Sequence, residues 1–90
     1  MKIGKYIYEK STRKGKKLMV VVDNNKVIHF GDSNMQHYKD KTGIWKSKDH
    51  LDKDRRDRYR ARASKIRNKK GELTYLDVNS PNYHSYNILW

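Results

Sequence analysis

The chain has no cysteine and a single proline, Pro81, in its 90 residues. Without thiols it can form neither disulfide staples nor a thiolate zinc site. A chain this short must then hold its fold by packing alone or borrow a surface from a larger assembly. Long apolar runs are missing too. The longest, Leu18 to Val22, is far short of the ~20 residues that a bilayer crossing takes, and no apolar stretch follows the N-terminus as in a secretory leader. Apolar residues make up 34%, well below the roughly 45–50% of an average globular domain, which predicts a thin core. Acidic residues are scarce, with 10 Asp and Glu against 22 Lys and Arg for a formal charge of +12. These deficits exclude a large enzyme, a multidomain machine and a membrane-spanning protein. They leave one small domain, residues 1–90.

What the chain does have argues against a disordered basic tail. Seven Tyr, two Trp and one Phe are spread along it, whereas disordered segments are poor in aromatics. Residues 2–9 are rich in β-formers, and Leu18-Met19-Val20-Val21-Val22 is a β-branched run too short for a helix. Asp23-Asn24-Asn25-Lys26 carries side chains that tolerate a tight turn, and Val27-Ile28-His29-Phe30 reads as the returning strand. The pattern predicts a three-stranded antiparallel meander over residues 2–30. It also predicts one long helix over residues 47–70, with Ser47 or Asp49 as N-cap, acidic residues at its start, basic ones at its end and Gly71 as C-cap. A short strand over 72–78 and an aromatic tail, Tyr83 to Trp90, complete an α+β fold.

Charge is partitioned along the chain, since every Lys and Arg lies within residues 1–70. Arg55, Arg56, Arg58, Arg60, Arg62, Lys65, Arg67, Lys69 and Lys70 crowd the predicted helix, and Lys14, Lys16 and Lys17 close a basic N-terminal arm. Such density is the electrostatic footprint of contact with a polyanion. The guanidinium fork suits phosphate oxygens, and interleaved aromatics suit stacking. The bland alternative is a solvated helix, but +12 exceeds the ~2–8 that solubility asks of a small domain. Trp45, Tyr59, Tyr83, Tyr86, Leu89 and Trp90 are candidate interface anchors. The chargeless tail serves equally well as a cover for its own sheet. No recognised catalytic, phosphate-loop or metal-ligand spacing is present. The helical pair His50 and Asp54, with His29, leaves a metal-dependent nuclease as a minor alternative, and no cofactor is expected.

Several pieces in fixed order carry a resemblance. His29-Phe30-Gly31-Asp32 comes first, followed by His50 with Asp52 and Asp54, Arg55-Arg56, Tyr59-Arg60-Ala61-Arg62 and Ser64-Lys65-Ile66. Ser80-Pro81-Asn82-Tyr83 and Ile88-Leu89-Trp90 close the series. Over residues 26–90 the chain resembles a group of short basic proteins of large double-stranded DNA viruses and large tailed phages, in which His often stands where this chain has Ala63. The resemblance implies a viral setting and no established enzymatic activity. The combined expectation is a non-enzymatic minor capsid or cement protein, located in the virion and in the host cell during infection. It would neutralise acidic capsid-protein surfaces or packaged double-stranded DNA. The alternative is a free, sequence-independent nucleic-acid-binding protein.

Overall fold

The computed structural model describes residues 1–90, all but the side chain of Asn24. Four antiparallel strands lie in chain order: β1 (Lys2–Ile3), β2 (Tyr6–Lys10), β3 (Lys16–Val22) and β4 (Lys26–Asp32). The meander therefore has four strands, not the expected three. Residues 2–9 do not run as one strand because Gly4, at φ +62, turns the chain and pairs Ile3 with Tyr6. The long hairpin is β3–β4, paired from Lys16–Asp32 to Val22–Lys26. Its Asp23–Asn25 turn places Asn25 at φ +60, a conformation that Asn tolerates better than most residues.

The sheet is one-sided. Tyr8, Leu18, Val20, Val22, Ile28 and Phe30 face inward and are buried, while Ile7, Val21 and Val27 face outward and are exposed. The inner face is covered by the C-terminal segment. There α2 (Pro81–His84) runs directly into a π-helical stretch, Ser85–Leu89, whose wider turn bonds Trp90 N–H to the Ser85 carbonyl. Ser80 caps this segment by accepting from Asn82 N–H, and Pro81 takes the first helical position, where its missing donor is harmless. Buried His84, Ser85, Ile88 and Leu89 form an i, i+1, i+4, i+5 stripe on the sheet. The Ile88 and Leu89 carbonyls accept from Lys41 N–H and Lys39 N–H of the loop that crosses beneath.

The long helix is also corrected. The structure has only an 11-residue α1, Lys53–Ala63. Its N-cap is Asp52, whose carboxylate accepts from Asp54 N–H (3.0 Å) and Arg55 N–H (3.2 Å); neither Ser47 nor Asp49 plays that part. At its end the bonds tighten from i−4 (Ser64 N–H to the Arg60 carbonyl) to i−3 (Lys65 to Arg62 and Ile66 to Ala63), and the Asn82 side chain donates to Ala63 O at 2.9 Å. Gly71, at φ +81, instead closes a tight turn with Asn68, beyond which Leu73 bridges back to Arg67. The expected strand over 72–78 is reduced to that bridge and a 3-10 turn, Thr74–Leu76. Of α1, only Ala63 is buried. No helix among the described residues is long and apolar enough to cross a membrane.

Candidate anion-binding cleft

The basic residues of α1 do not share one fate, because helical spacing sorts them by face. Arg55, Arg58 and Arg62, at i, i+3 and i+7, line a cleft of about 460 Å³ between α1, the C-terminal segment and the open end of the β3–β4 hairpin. Lys16, Lys17 and Asp32 of the hairpin also line it, as do Tyr59 and Trp90. Arg55 donates to Gln36 Oε1 at 3.0 Å, while Arg58 and Arg62 stand exposed. The next face points inward. There the Arg56 guanidinium lies 4.7 Å from the Tyr38 ring centre, and Arg60 lies 5.1 Å from that of Tyr86 while donating to the Trp90 carbonyl at 2.8 Å. These two arginines fasten the helix to the body. Lys65, Arg67, Lys69 and Lys70 lie beyond the helix and are exposed, Arg67 donating to the Gly71 carbonyl. Lys14 is exposed in the β2–β3 turn.

Negative partners are few. Among the described residues one Lys or Arg side chain contacts a carboxylate, Arg56 Nε to Asp57 at 3.6 Å. Asp40 is buried and occupied within its own loop, accepting from Thr42 N–H, Thr42 Oγ1–H and Trp45 N–H. Asp32 also lines the cleft, where it accepts from Asn34 N–H at 2.9 Å and pairs with none of the arginines, so the cleft holds more cations than carboxylates.

Lys17 is the exception among the basic residues. It is 1% exposed, and its ammonium donates to His37 Nδ1 at 2.8 Å. His37, fully buried, donates from Nε2 to Asp49 Oδ1 at 2.6 Å, and Asp40 N–H donates to the same oxygen at 2.8 Å. A short parallel bridge between His37 and Asp49 sets this row. Burial and the nearby Lys48 charge push the Lys17 ammonium down to about 8, and burial with the Lys17 charge lowers His37 below its ordinary range. No sequence spacing flagged this row, because its members come from a strand and two positions on a loop.

The expected interface anchors are placed within the domain. Leu89 is 1% exposed in the core, and Trp45 and Trp90 pack against that core. Trp45 also donates from its indole to the Lys17 carbonyl at 2.7 Å. Tyr59 stacks on Trp90, ring centres 4.2 Å apart and 9° from parallel. Tyr83 sits edge-on to His84, Tyr86 lies against Tyr75, and both tyrosines are half-buried. The tail thus covers its own sheet. A sequence signal for this was present in the Ser80-Pro81 helix start and the four-residue spacing of His84 with Ile88 and Ser85 with Leu89.

The three residues of the nuclease alternative do not converge. His50 Nδ1 accepts from Asp52 N–H, His29 Nδ1 bonds Ser11 Oγ at 2.7 Å, and Asp54 is exposed on the first turn of α1. Among the described residues no three His, Asp or Glu gather as a metal site.

Compared with known proteins, residues 7–42 match the model of a family of unknown function, DUF5754. The match spans β2 to β4 and the loop through Asp40 and Thr42, less than half of the chain. No curated protein and no solved structure matches the chain.

Proposed function

We propose that this chain is a small polyanion-binding protein that takes the phosphate backbone of nucleic acid along α1 and into its cleft, without reading sequence. The observation that carries the reading is the set Arg55, Arg58, Arg62 and Lys16 around one cleft in which Asp32 is the one carboxylate of the lining and forms no ion pair with them. Guanidinium groups along one face of a short helix are suited to phosphate oxygens, and such contacts are sequence-independent. The resemblance to small basic proteins of double-stranded DNA viruses supplies the setting, a virion component acting on packaged DNA. This role asks for binding alone and needs no cofactor.

Capsid docking through the aromatic tail loses its support, since those rings are engaged within the domain. Docking of the basic face on an acidic capsid protein uses the same cations and is separated from DNA binding by experiment. Titration of labelled duplex DNA at several salt concentrations is the test. If the four cleft cations each meet one phosphate, the log–log slope is about −3.6. The double variant Arg58→Ala/Arg62→Ala reduces that slope by about 1.8 units. Absence of duplex binding at low salt, with retention on an acidic capsid protein, would replace DNA by protein as the partner.

A further inference from the structure

The two edges of the sheet are unequal. β1 has two residues, and so short an edge offers little to another strand. β4 has seven and a neighbour on one side only. Among the described residues no backbone group outside β3 bonds residues 26–31. Alternate peptide groups of β4 are therefore left without a partner along its free side. The usual guards of such an edge are missing: it has no proline, and the buried residues Ile28 and Phe30 carry no charge. Its charges stand at the two ends instead. Lys26 opens the strand and Asp32 closes it, both exposed and neither in an ion pair within the chain.

We propose that the free edge of β4 pairs with the same edge of a second copy of this chain, antiparallel and centred on His29. The strand's own ends select that register. It sets Val27 opposite Gly31, Ile28 opposite Phe30 and Lys26 opposite Asp32 of the second copy, each contact made twice by the two-fold symmetry. Both charges at the edge then meet their opposites. A parallel pair in register would set Lys26 beside Lys26 and Asp32 beside Asp32, and a slip along the antiparallel pair breaks both matches. The +12 charge of each copy opposes association, but at about 0.15 M salt repulsion beyond ~8 Å is screened, while groups in contact are screened less. The pairing also bears on the cleft. Asp32 is the one carboxylate of its lining, so Lys26 of the second copy neutralises the group that works against a bound anion. The two-fold axis places both clefts on one side of the joined sheet, with the two Asp32 residues about 20 Å apart along the strands. This effect on the clefts rests on the phosphate reading; the pairing itself does not.

The test is sedimentation equilibrium of the full chain without nucleic acid, up to millimolar concentration. Two strands of seven residues make a small interface, so a monomer–dimer equilibrium with Kd near ~100 μM is expected. Lys26→Asp alone and Asp32→Lys alone are each expected to weaken it about tenfold, as two like-charge contacts replace two ion pairs. The double variant Lys26→Asp/Asp32→Lys restores the pairs and is expected to return the wild-type Kd. The single variants shift net charge in opposite directions, so weakening by both is not an effect of overall repulsion. Amide exchange of the wild-type chain gives a second readout that needs no variant: protection at residues 26–31 is expected to grow with protein concentration. A monomer up to millimolar concentration overturns the proposal. So does a dimer that ignores both single variants, or one whose concentration-dependent protection lies outside β4. Because no nucleic acid is present, failure of duplex binding leaves the pairing standing, and a monomer leaves the phosphate reading standing.

Discussion

The two stretches that stand out most in the sequence, the basic residues 53–70 and the aromatic residues 83–90, take opposite places in the fold. The first is a short helix with one buried residue, Ala63, followed by an exposed loop. The second lies on the sheet and contributes Ile88 and Leu89 to the core. Charge density foretells exposure well, because a Lys or Arg is rarely buried without a partner. A chargeless aromatic run foretells burial without saying against what. In a chain with so little apolar surface, the nearest cover for the sheet is the chain's own end.

That contrast can be broken from either side, and the largest effects belong to the tail. Leu89→Ala is expected to lower unfolding free energy by about 3 kcal/mol, read by urea denaturation; an unchanged midpoint would mean that the tail is not part of the core. Gly31→Ala, at φ +78 and against Leu89, is expected to cost about 2–3 kcal/mol, since the chain would carry backbone strain and overpacking together. Tyr8→Phe leaves His84 Nδ1, which accepts from the tyrosine hydroxyl at 2.8 Å, without its donor, at about 1–2 kcal/mol. On the basic side, Arg58→Ala is expected to alter stability by less than about 0.5 kcal/mol while weakening duplex binding.

The two regions also differ in pH response. His37 and His84 are buried and held neutral, His84 by burial while its Nε2–H donates to the Val78 carbonyl. The unfolded chain protonates both near pH 6.5 and the folded chain does so only below that, so stability falls as pH drops below 6.5. Lys17, at about 8 folded and 10.5 unfolded, acts in the same direction at higher pH: its contribution improves from about 8 to 10.5. Tyr8, raised to about 12 by burial, opposes this, because the unfolded chain loses that proton from pH 10 upward. Thermal melts across pH 4–11 check these signs, and in Tyr8→Phe the loss above pH 10 is expected to shrink.

Much of the sheet was legible, because β3 and β4 are β-branched runs about a turn-forming Asp-Asn-Asn. The split of residues 2–9 into β1 and β2 was not, since it depends on one glycine, Gly4, adopting a positive φ. At the early end of α1 the Ala63 carbonyl accepts from Ile66 N–H and from Asn82, nineteen residues away, and no local pattern in 53–70 announces that second partner. The arginines of the cleft were legible as a class but not as a face, because the helix start at Asp52 decides which of them look inward. The Lys17 row was invisible for a plainer reason: burial of a lysine is decided by what folds over it, here His37 and Asp49.

The bond between Tyr8 and His84 joins positions 76 residues apart. During synthesis the hairpins emerge first and can pair, yet their apolar face has nothing to rest on until residues 81–89 leave the ribosome. Closing so wide a loop slows folding relative to local helix formation. The nascent chain therefore passes through a stage in which Leu18, Val20 and Phe30 are wet and adhesive, and a holdase chaperone would act there.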